Sequence, residues 1–167
     1  MNEEHQPGID FEHEDFDFTT LEDELRVDEL CQALLNQFYQ HLQLSGRPPQ
    51  QASDLAYAVD FYLRDYVLDF ARQNVVSPQP GIIMRFAAHW YITHTLDPEP
   101  AMLERSLEGI REFYRYLNGR HFISREELAW LEQEAAHIDY FRQRIEDFLA
   151  IYGDGYVAWE AECPLNG

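Results

Sequence analysis

LERSLEGIREFYRYLNGRHF, residues 103 to 122, is the stretch that decides the fold. Its apolar residues recur at steps of three and four, which places them on one face of an α-helix. These positions are Leu103, Leu107, Ile110, Tyr114 and Leu117. Phe113 and Tyr116 widen the face, and Asn118 and Gly119 are residues of the kind that end a helix in a left-handed turn. The pattern predicts an amphipathic helix against which the other helices pack.

Helical periodicity and helix-breaking residues divide the rest of the chain in the same way. The predicted helices run from Thr20 to about Leu42, from about Gln51 to Asn74, from about Ile82 to Thr95 and from Ser124 to Tyr152. No stretch shows the signals of a β-strand. We therefore predict an all-α protein, a compact bundle of about five helices. Its long last helix, residues 125–152, carries a near-heptad apolar seam in which Arg142 should face solvent or pair with an acid.

The predicted domain organisation is an acidic flexible tail over residues 1–18 and a single helical domain over 19–167, which ends in an irregular tail over 153–167. Acids alternate with Phe11, Phe16 and Phe18 in the N-terminal tail. Such a composition is typical of a segment that docks its aromatic rings on a partner. A solvated tail that only promotes solubility is the alternative.

The charge balance is strongly acidic, with 31 Asp and Glu against 12 basic residues and a net charge of −19. All the basic residues are arginine. A field of this sign repels phosphate backbones and favours basic partners. High-salt adaptation or codon usage would also account for the absence of lysine.

No combination of residues predicts catalysis, a cofactor or a metal. Glu134 and His137 have the Glu-x-x-His spacing of di-iron sites, but a second copy is missing, so a surface pair is expected. His89 and His94 are five residues apart and cannot share a metal ion. Cys31 is expected to be a buried free thiol. Without a catalytic combination of residues, we expect a protein that is not an enzyme. No apolar run approaches the ~18 residues that cross a bilayer, so we expect a cytoplasmic protein without membrane contact.

The only basic cluster of the sequence lies in and after the deciding helix. It consists of Arg105, Arg111, Arg115, Arg120 and Arg125. Glutamates interleave with these arginines, and Glu112 and Arg115 are spaced for an ion pair. Two interpretations stay open, local ion pairing or a face that contacts nucleic acid or another partner.

Two segments together resemble the N-terminal SAM-like core-binding domain of phage-integrase-type tyrosine recombinases. They are residues 38–70, FYQHLQLSGRPPQQASDLAYAVDFYLRDYVLDF, and residues 103–124. The family's Leu-x-x-x-Gly turn corresponds to Leu42–Gly46, its Tyr…Phe helix to Tyr57–Phe70 and its Arg-x-Phe-Tyr helix to Leu107–Leu117. The resemblance covers about residues 30–124 and implies a helical bundle that, in the family, clamps DNA. The sequence has no His-x-x-Arg, so the resemblance does not extend to the recombinase reaction.

The sequence therefore predicts a non-catalytic helical module for protein interaction or regulation, with a core-binding-like fold. Its expected partner is another protein, with a basic one favoured by charge, or a second copy that pairs through the last helix. A DNA-associated accessory protein of integration or recombination is one alternative, although the acidity opposes DNA binding. An acidic mimic of DNA that occupies a basic protein is the other.

Overall fold

The computed structural model describes residues 11–151 and 155–162. Over these ranges the chain forms no strand and, besides a 3₁₀ turn at His13–Phe16, seven helical runs, with residues 49–68 and residues 82–94 each counted as one run. This confirms the all-α class and corrects the predicted number of about five. The chain divides into two compact units, Met1–Ser77 and Pro78–Gly167. The single helical domain expected over residues 19–167 stays a prediction. Residues 1–10 of the predicted N-terminal tail lie outside the described residues.

The first unit is built on two long helices. Helix α1 spans Leu21–Leu44, and α2 spans Pro49–Phe61 and continues as a π-helical segment, Tyr62–Leu68. Thr20 begins α1 as predicted, because its Oγ1 accepts a hydrogen bond from the Asp23 N–H at 3.1 Å. The Asp23 carboxylate in turn accepts one from the Thr20 N–H at 3.2 Å, which completes a capping box.

The second predicted helix is shorter and less regular than its apolar pattern indicated. The Asp69 N–H donates to the Arg64 carbonyl at 3.1 Å, and the Ala71 N–H donates to the Tyr66 carbonyl at 2.7 Å. Both bonds reach back five residues, as in a π-helix. The helix therefore ends before the predicted Asn74, and Arg72 adopts a left-handed conformation with φ of 56°.

The N-terminal aromatic residues do not form a free docking tail. Phe16 is fully buried and Phe11 is 7 % exposed, and their rings meet edge to face at 5.5 Å. The Asn74 amide ties this segment to the end of the unit by donating to the His13 carbonyl at 2.9 Å and to Asp17 Oδ1 at 2.8 Å. Phe11 and Phe16 therefore belong to the core of the first unit, because burial removes their rings from water. They could dock on a partner only after local unfolding.

The second unit contains the helix that decides the fold. Residues 82–94 form one helical run in which α3, Ile82–Arg85, is joined to α4, Tyr91–His94, by a π-helical turn, Phe86–Trp90. Helix α5 follows at Pro100–Gly119. All seven apolar residues predicted on one face of α5 are buried, which confirms the pattern.

The predicted long last helix is two helices, α6 at Arg125–Ala135 and α7 at Ile138–Leu149. A capping box of the kind that the Ser-x-x-Glu sequence favours starts α6, because the Ser124 N–H donates to Glu127 Oε1 and the Glu127 N–H donates to Ser124 Oγ, both at 3.0 Å. The helix breaks at His137, whose ψ of 47° leaves the helical region. The seam on which the expected homodimer depended is therefore divided.

The end of the chain also differs from the prediction. Residues 155–161, expected to be irregular, form helix α8, Gly155–Ala161, and Trp159 in it is buried. Leu149, expected in the seam, is exposed. Arg142 does face solvent, beside a buried Phe141, and its Nη2 pairs with Glu104 Oε1 at 2.7 Å. That local prediction is confirmed.

Candidate functional site

A groove of about 370 Å³ opens in the first unit between α1 and the π-helical end of α2. Its apolar lining consists of Phe18, Leu21, Leu25, Val27 and Leu68. Its charged lining consists of Glu24, Asp28, Arg64, Asp65, Asp69 and Arg72. The volume lies near the lower end of the ~300–1,000 Å³ range of ligand pockets. We call this site the acidic groove.

Two leucines on α1 expose apolar surface at the groove. Leu21 is 70 % exposed and Leu25 is 62 % exposed, and they lie one helical turn apart. Buried residues of the same lining, Val27 and Leu68, continue this surface toward the core. Single exposed leucines are common on proteins, whereas an adjoining pair over an apolar floor is typical of an interaction surface.

Both arginines of the acidic groove are already paired within the first unit. Arg64 Nε lies 2.7 Å from Asp60 Oδ1, and its Nη1 lies 3.5 Å from Asp28 Oδ1. Arg72 pairs with Glu24, and its guanidinium carbon lies 4.9 Å from the centre of the Phe18 ring. The two arginines therefore hold the walls of the groove together, and the carboxylates with which they pair neutralise their charge.

Asp65 and Asp69 carry the negative charge that the arginines leave over. Within the part of the chain that the structure describes, neither carboxylate takes part in an ion pair or a hydrogen bond. Burial raises the pKa of the Asp65 carboxyl, and the nearby charges of Asp69 and Asp60 raise it further. The lining holds four carboxylates and two guanidinium groups, which leaves two net negative charges. A cation placed here would relieve like-charge repulsion.

In the predicted basic cluster of the second unit, Arg115 is compensated by two ion pairs. Arg115 Nε lies 2.6 Å from Glu132 Oε1, and its Nη1 lies 3.1 Å from Glu112 Oε1, so the ion pair predicted from the spacing is present. The hydrogen bond to Glu132 is also the main reason that the pKa of Arg115 is raised. Arg120 donates to the Tyr116 hydroxyl at 3.2 Å and lies over its ring. Arg111 is half-buried and Arg120 is exposed. Arg105 and Arg125 are exposed.

A second cluster, centred on Arg144, was not predicted. Arg144 is 2 % exposed, and its Nε donates to the Ala88 carbonyl at 2.9 Å. Its Nη1 donates to the Trp159 carbonyl at 2.7 Å, while the Trp159 Nε1–H donates to the Arg144 carbonyl at 2.9 Å. The guanidinium carbon lies 3.9 Å from the centre of the Trp159 ring, a cation–π contact. This reciprocal pair holds α8 against α7.

The histidines of the second unit pack against tryptophans. His89 stacks on Trp159 at 5.4 Å, and burial lowers its pKa although Glu160, 3.8 Å away, acts in the opposite direction. His94 stacks on Trp90 at 4.6 Å. In residues 11–151 and 155–162, no three His, Cys, Asp or Glu side chains are grouped to hold a metal ion. These contacts make both histidines packing residues.

Glu134 is not the surface residue that its spacing indicated. Its two carboxylate oxygens accept hydrogen bonds from the N–H groups of Gly81, at 3.0 Å, and Met84, at 3.1 Å. These groups lie at the start of α3, where backbone N–H groups have no partner in the helix. Glu134 therefore caps a helix about fifty residues away in the sequence.

Cys31 is the free, buried thiol that was predicted. Burial raises the pKa of this thiol to about 12. A thiol in that state carries almost no thiolate at neutral pH and is a poor nucleophile. Cys163 lies outside the described residues.

The structure is that of an all-α protein with a groove that combines charged side chains with an apolar floor. Comparison with models of protein families, with curated protein sequences and with solved structures found no match to this chain. Among the described residues, no helix has both the length and the apolar character needed to cross a membrane. The residues of the groove therefore carry the functional argument.

Proposed function

We propose that this protein is a non-catalytic interaction module that binds a basic segment of another protein in the acidic groove. The observation that carries the proposal is the juxtaposition of exposed leucines with two unengaged carboxylates in one cavity. A basic segment with apolar side chains would cover the leucines and neutralise Asp65 and Asp69 at the same time. Burial of the leucines and neutralisation of the carboxylates each favour binding, and one binding event achieves both.

Charge argues that the occupant comes from a different protein. Residues 1–10 of the chain contain Glu3, Glu4 and Asp10 and no arginine, so this segment would be repelled. A second copy of a chain with a net charge of −19 would be repelled as well. A basic protein is attracted at long range and retained by contact.

Nucleic-acid binding is the weaker alternative. Arg115 is paired with two glutamates, and the exposed Arg105, Arg120 and Arg125 belong to a chain of net charge −19, which repels phosphate backbones at long range. The acidic-mimic alternative shares the preference for a basic partner, but the apolar floor of the groove adds a contact that imitation of a phosphate backbone does not need. The resemblance to recombinase core-binding domains stays a prediction about ancestry.

The proposal is tested by fluorescence anisotropy with the full chain and a labelled peptide that contains arginine and leucine. We expect binding that weakens as salt rises from ~50 to ~200 mM, because surface charges are screened over shorter distances. The double variant Asp65→Asn/Asp69→Asn should bind about tenfold more weakly, a loss of ~1.4 kcal/mol.

The matched control is Asp54→Asn/Glu29→Gln, which removes the same charge from exposed positions of the first unit outside the groove. This control should bind as the unaltered chain does. Absence of binding at low salt, or equal losses in both double variants, would contradict the proposed function.

A further inference from the structure

The acidic groove is lined by two pairs of side chains with the same spacing in the sequence. On α1, Leu21 and Leu25 are four residues apart and exposed. On the opposite wall, Asp65 and Asp69 are also four residues apart. In an α-helix such as α1, side chains at this spacing lie about 5–6 Å apart. Asp65 and Asp69 lie in the π-helical segment and at its end, and they are near enough for the charge of Asp69 to raise the pKa of Asp65. The groove therefore offers one apolar row and one carboxylate row.

The backbone of the groove offers little to an extended peptide. Most of both walls is helical, and over residues 24–28 and 64–68 the backbone N–H and C=O groups are bonded within the helices. Over the described ranges the chain has no strand, and hence no sheet edge to which a peptide could add. The one aromatic ring of the lining, Phe18, lies under Arg72, so the groove is not the open aromatic surface that proline-rich peptides use. An extended peptide would leave its own backbone groups without protein partners when it covers this surface.

We infer that the acidic groove is a receptor for an amphipathic basic helix. This inference rests on the proposed function and names the form of the partner. A helix satisfies its own backbone and presents side chains at the spacing of the two rows. Leucine or isoleucine at positions i and i+4 covers Leu21 and Leu25, and arginine or lysine one stripe away reaches Asp65 and Asp69. The cavity takes the anchoring side chains, while the body of the helix lies across its mouth.

The test compares three labelled peptides of identical composition and charge with the full chain. The first has its leucines on one helical stripe and its arginines on the next. Each peptide contains one proline, which stands at one end of the first peptide. The second peptide has the same residues scrambled so that no stripe forms. The third keeps the stripes but has the proline at its centre, where it breaks the helix. We expect the first peptide to bind at least tenfold more tightly than the other two and to gain helical circular dichroism on binding.

The outcomes separate the two proposals. If all three peptides bind within twofold of one another, the helix inference is overturned while the proposed function stands. If none binds at low salt, the proposed function is contradicted and the inference fails with it.

A pair of variants assigns the apolar row. Leu21→Ser/Leu25→Ser should lower the affinity for the first peptide to that for the scrambled one, with the salt dependence retained. Leu44→Ser is the matched control, because Leu44 is on the same helix, is 90 % exposed and lies outside the groove. An unchanged affinity in the double variant would overturn the assignment of the leucines.

Discussion

The acidic groove and the cluster around Arg144 use charged side chains in opposite ways. In the cluster, a buried guanidinium is held by two backbone carbonyls and a tryptophan ring, and it joins two helices. In the groove, Asp65 and Asp69 are exposed and hold nothing within the described residues. The first arrangement stabilises the fold of the second unit. The second leaves the first unit with two exposed carboxylates that a partner could engage, which is expected of a binding surface.

Carboxylates show the same contrast. Glu134 accepts two hydrogen bonds from backbone N–H groups at the start of α3. Asp65 faces other carboxylates, which raise its pKa after the larger effect of burial. The difference predicts that substitution of Glu134 should destabilise the protein, whereas substitution of Asp65 should stabilise it and weaken binding.

The largest expected effect is that of Arg144→Ala. The substitution removes two hydrogen bonds from a buried charged group and the contact with Trp159, which should lower the free energy of unfolding by about 3 kcal/mol. Arg142→Ala is the matched control on the same helix, because Arg142 is exposed and its ion pair contributes less than about 1 kcal/mol. Urea denaturation, with tryptophan fluorescence as the signal, measures both. Equal losses would show that the Arg144 cluster does not hold the second unit together.

An intermediate effect is expected for Glu134→Ala. Loss of the carboxylate leaves the N–H groups of Gly81 and Met84 without their partner, and the loss of a helix cap costs about 1 kcal/mol. Gln133→Ala, on the neighbouring exposed position, should change stability by less than about 0.5 kcal/mol. The two variants are compared by thermal unfolding. A Glu134 variant as stable as the control would remove the distinction between engaged and open carboxylates.

The smallest effect concerns the pH dependence of Asp65→Asn. A carboxyl whose pKa is raised by folding destabilises the folded state above that pKa, and the penalty disappears as pH falls through it. The variant should therefore be more stable than the unaltered chain at neutral pH, by about 0.3 kcal/mol for one like-charge pair on a helix. The difference should shrink as the pH falls through the raised pKa of Asp65. Denaturation at a series of pH values measures it, with Asp54→Asn as the control, and a constant difference would contradict the assignment.

Features that depend on neighbouring residues in the sequence could be predicted. The apolar face of α5, the N-cap at Thr20 and the capping box at Ser124 follow from residues within a few turns of one another, and all are present. Those features required only helical spacing and local hydrogen bonds.

The predictions that were wrong concern features that depend on contacts between residues distant in the sequence. The cap that Glu134 provides joins positions 53 and 50 residues apart, and the bond from Arg144 to Ala88 spans 56 residues. The bond from Asn74 that fixes the N-terminal segment spans 61 residues. No periodicity reports such pairings, so the break before α7, the presence of α8 and the burial of Phe16 could not be foreseen.

The sequence indicated one wall of the acidic groove but not the groove itself. Asp65 and Asp69 share a helical face, which indicated an ordinary solvated surface in view of Arg64 and Arg72 nearby. The missing information was tertiary for two of the ion pairs, since Arg64 reaches Asp28 and Arg72 reaches Glu24 on α1. The pair of Arg64 with Asp60 is local, at four residues' spacing. The positions of Leu21 and Leu25 on α1 are the signal in the sequence that indicates the other wall. Leu21 and Leu25 lie off the apolar stripe that leads to Cys31 and Leu34, and leucines in such positions on a helix are exposed unless a partner covers them.

Hydrogen–deuterium exchange of the full chain, with and without the amphipathic basic peptide, tests the central claim most directly. The account predicts that bound peptide slows amide exchange in residues 21–28 and 64–72, which form the two walls of the acidic groove. Exchange in residues 103–120, which contain Arg105, Arg111, Arg115 and Arg120, should not change. Protection confined to residues 103–120, with the groove unaffected, would contradict the account.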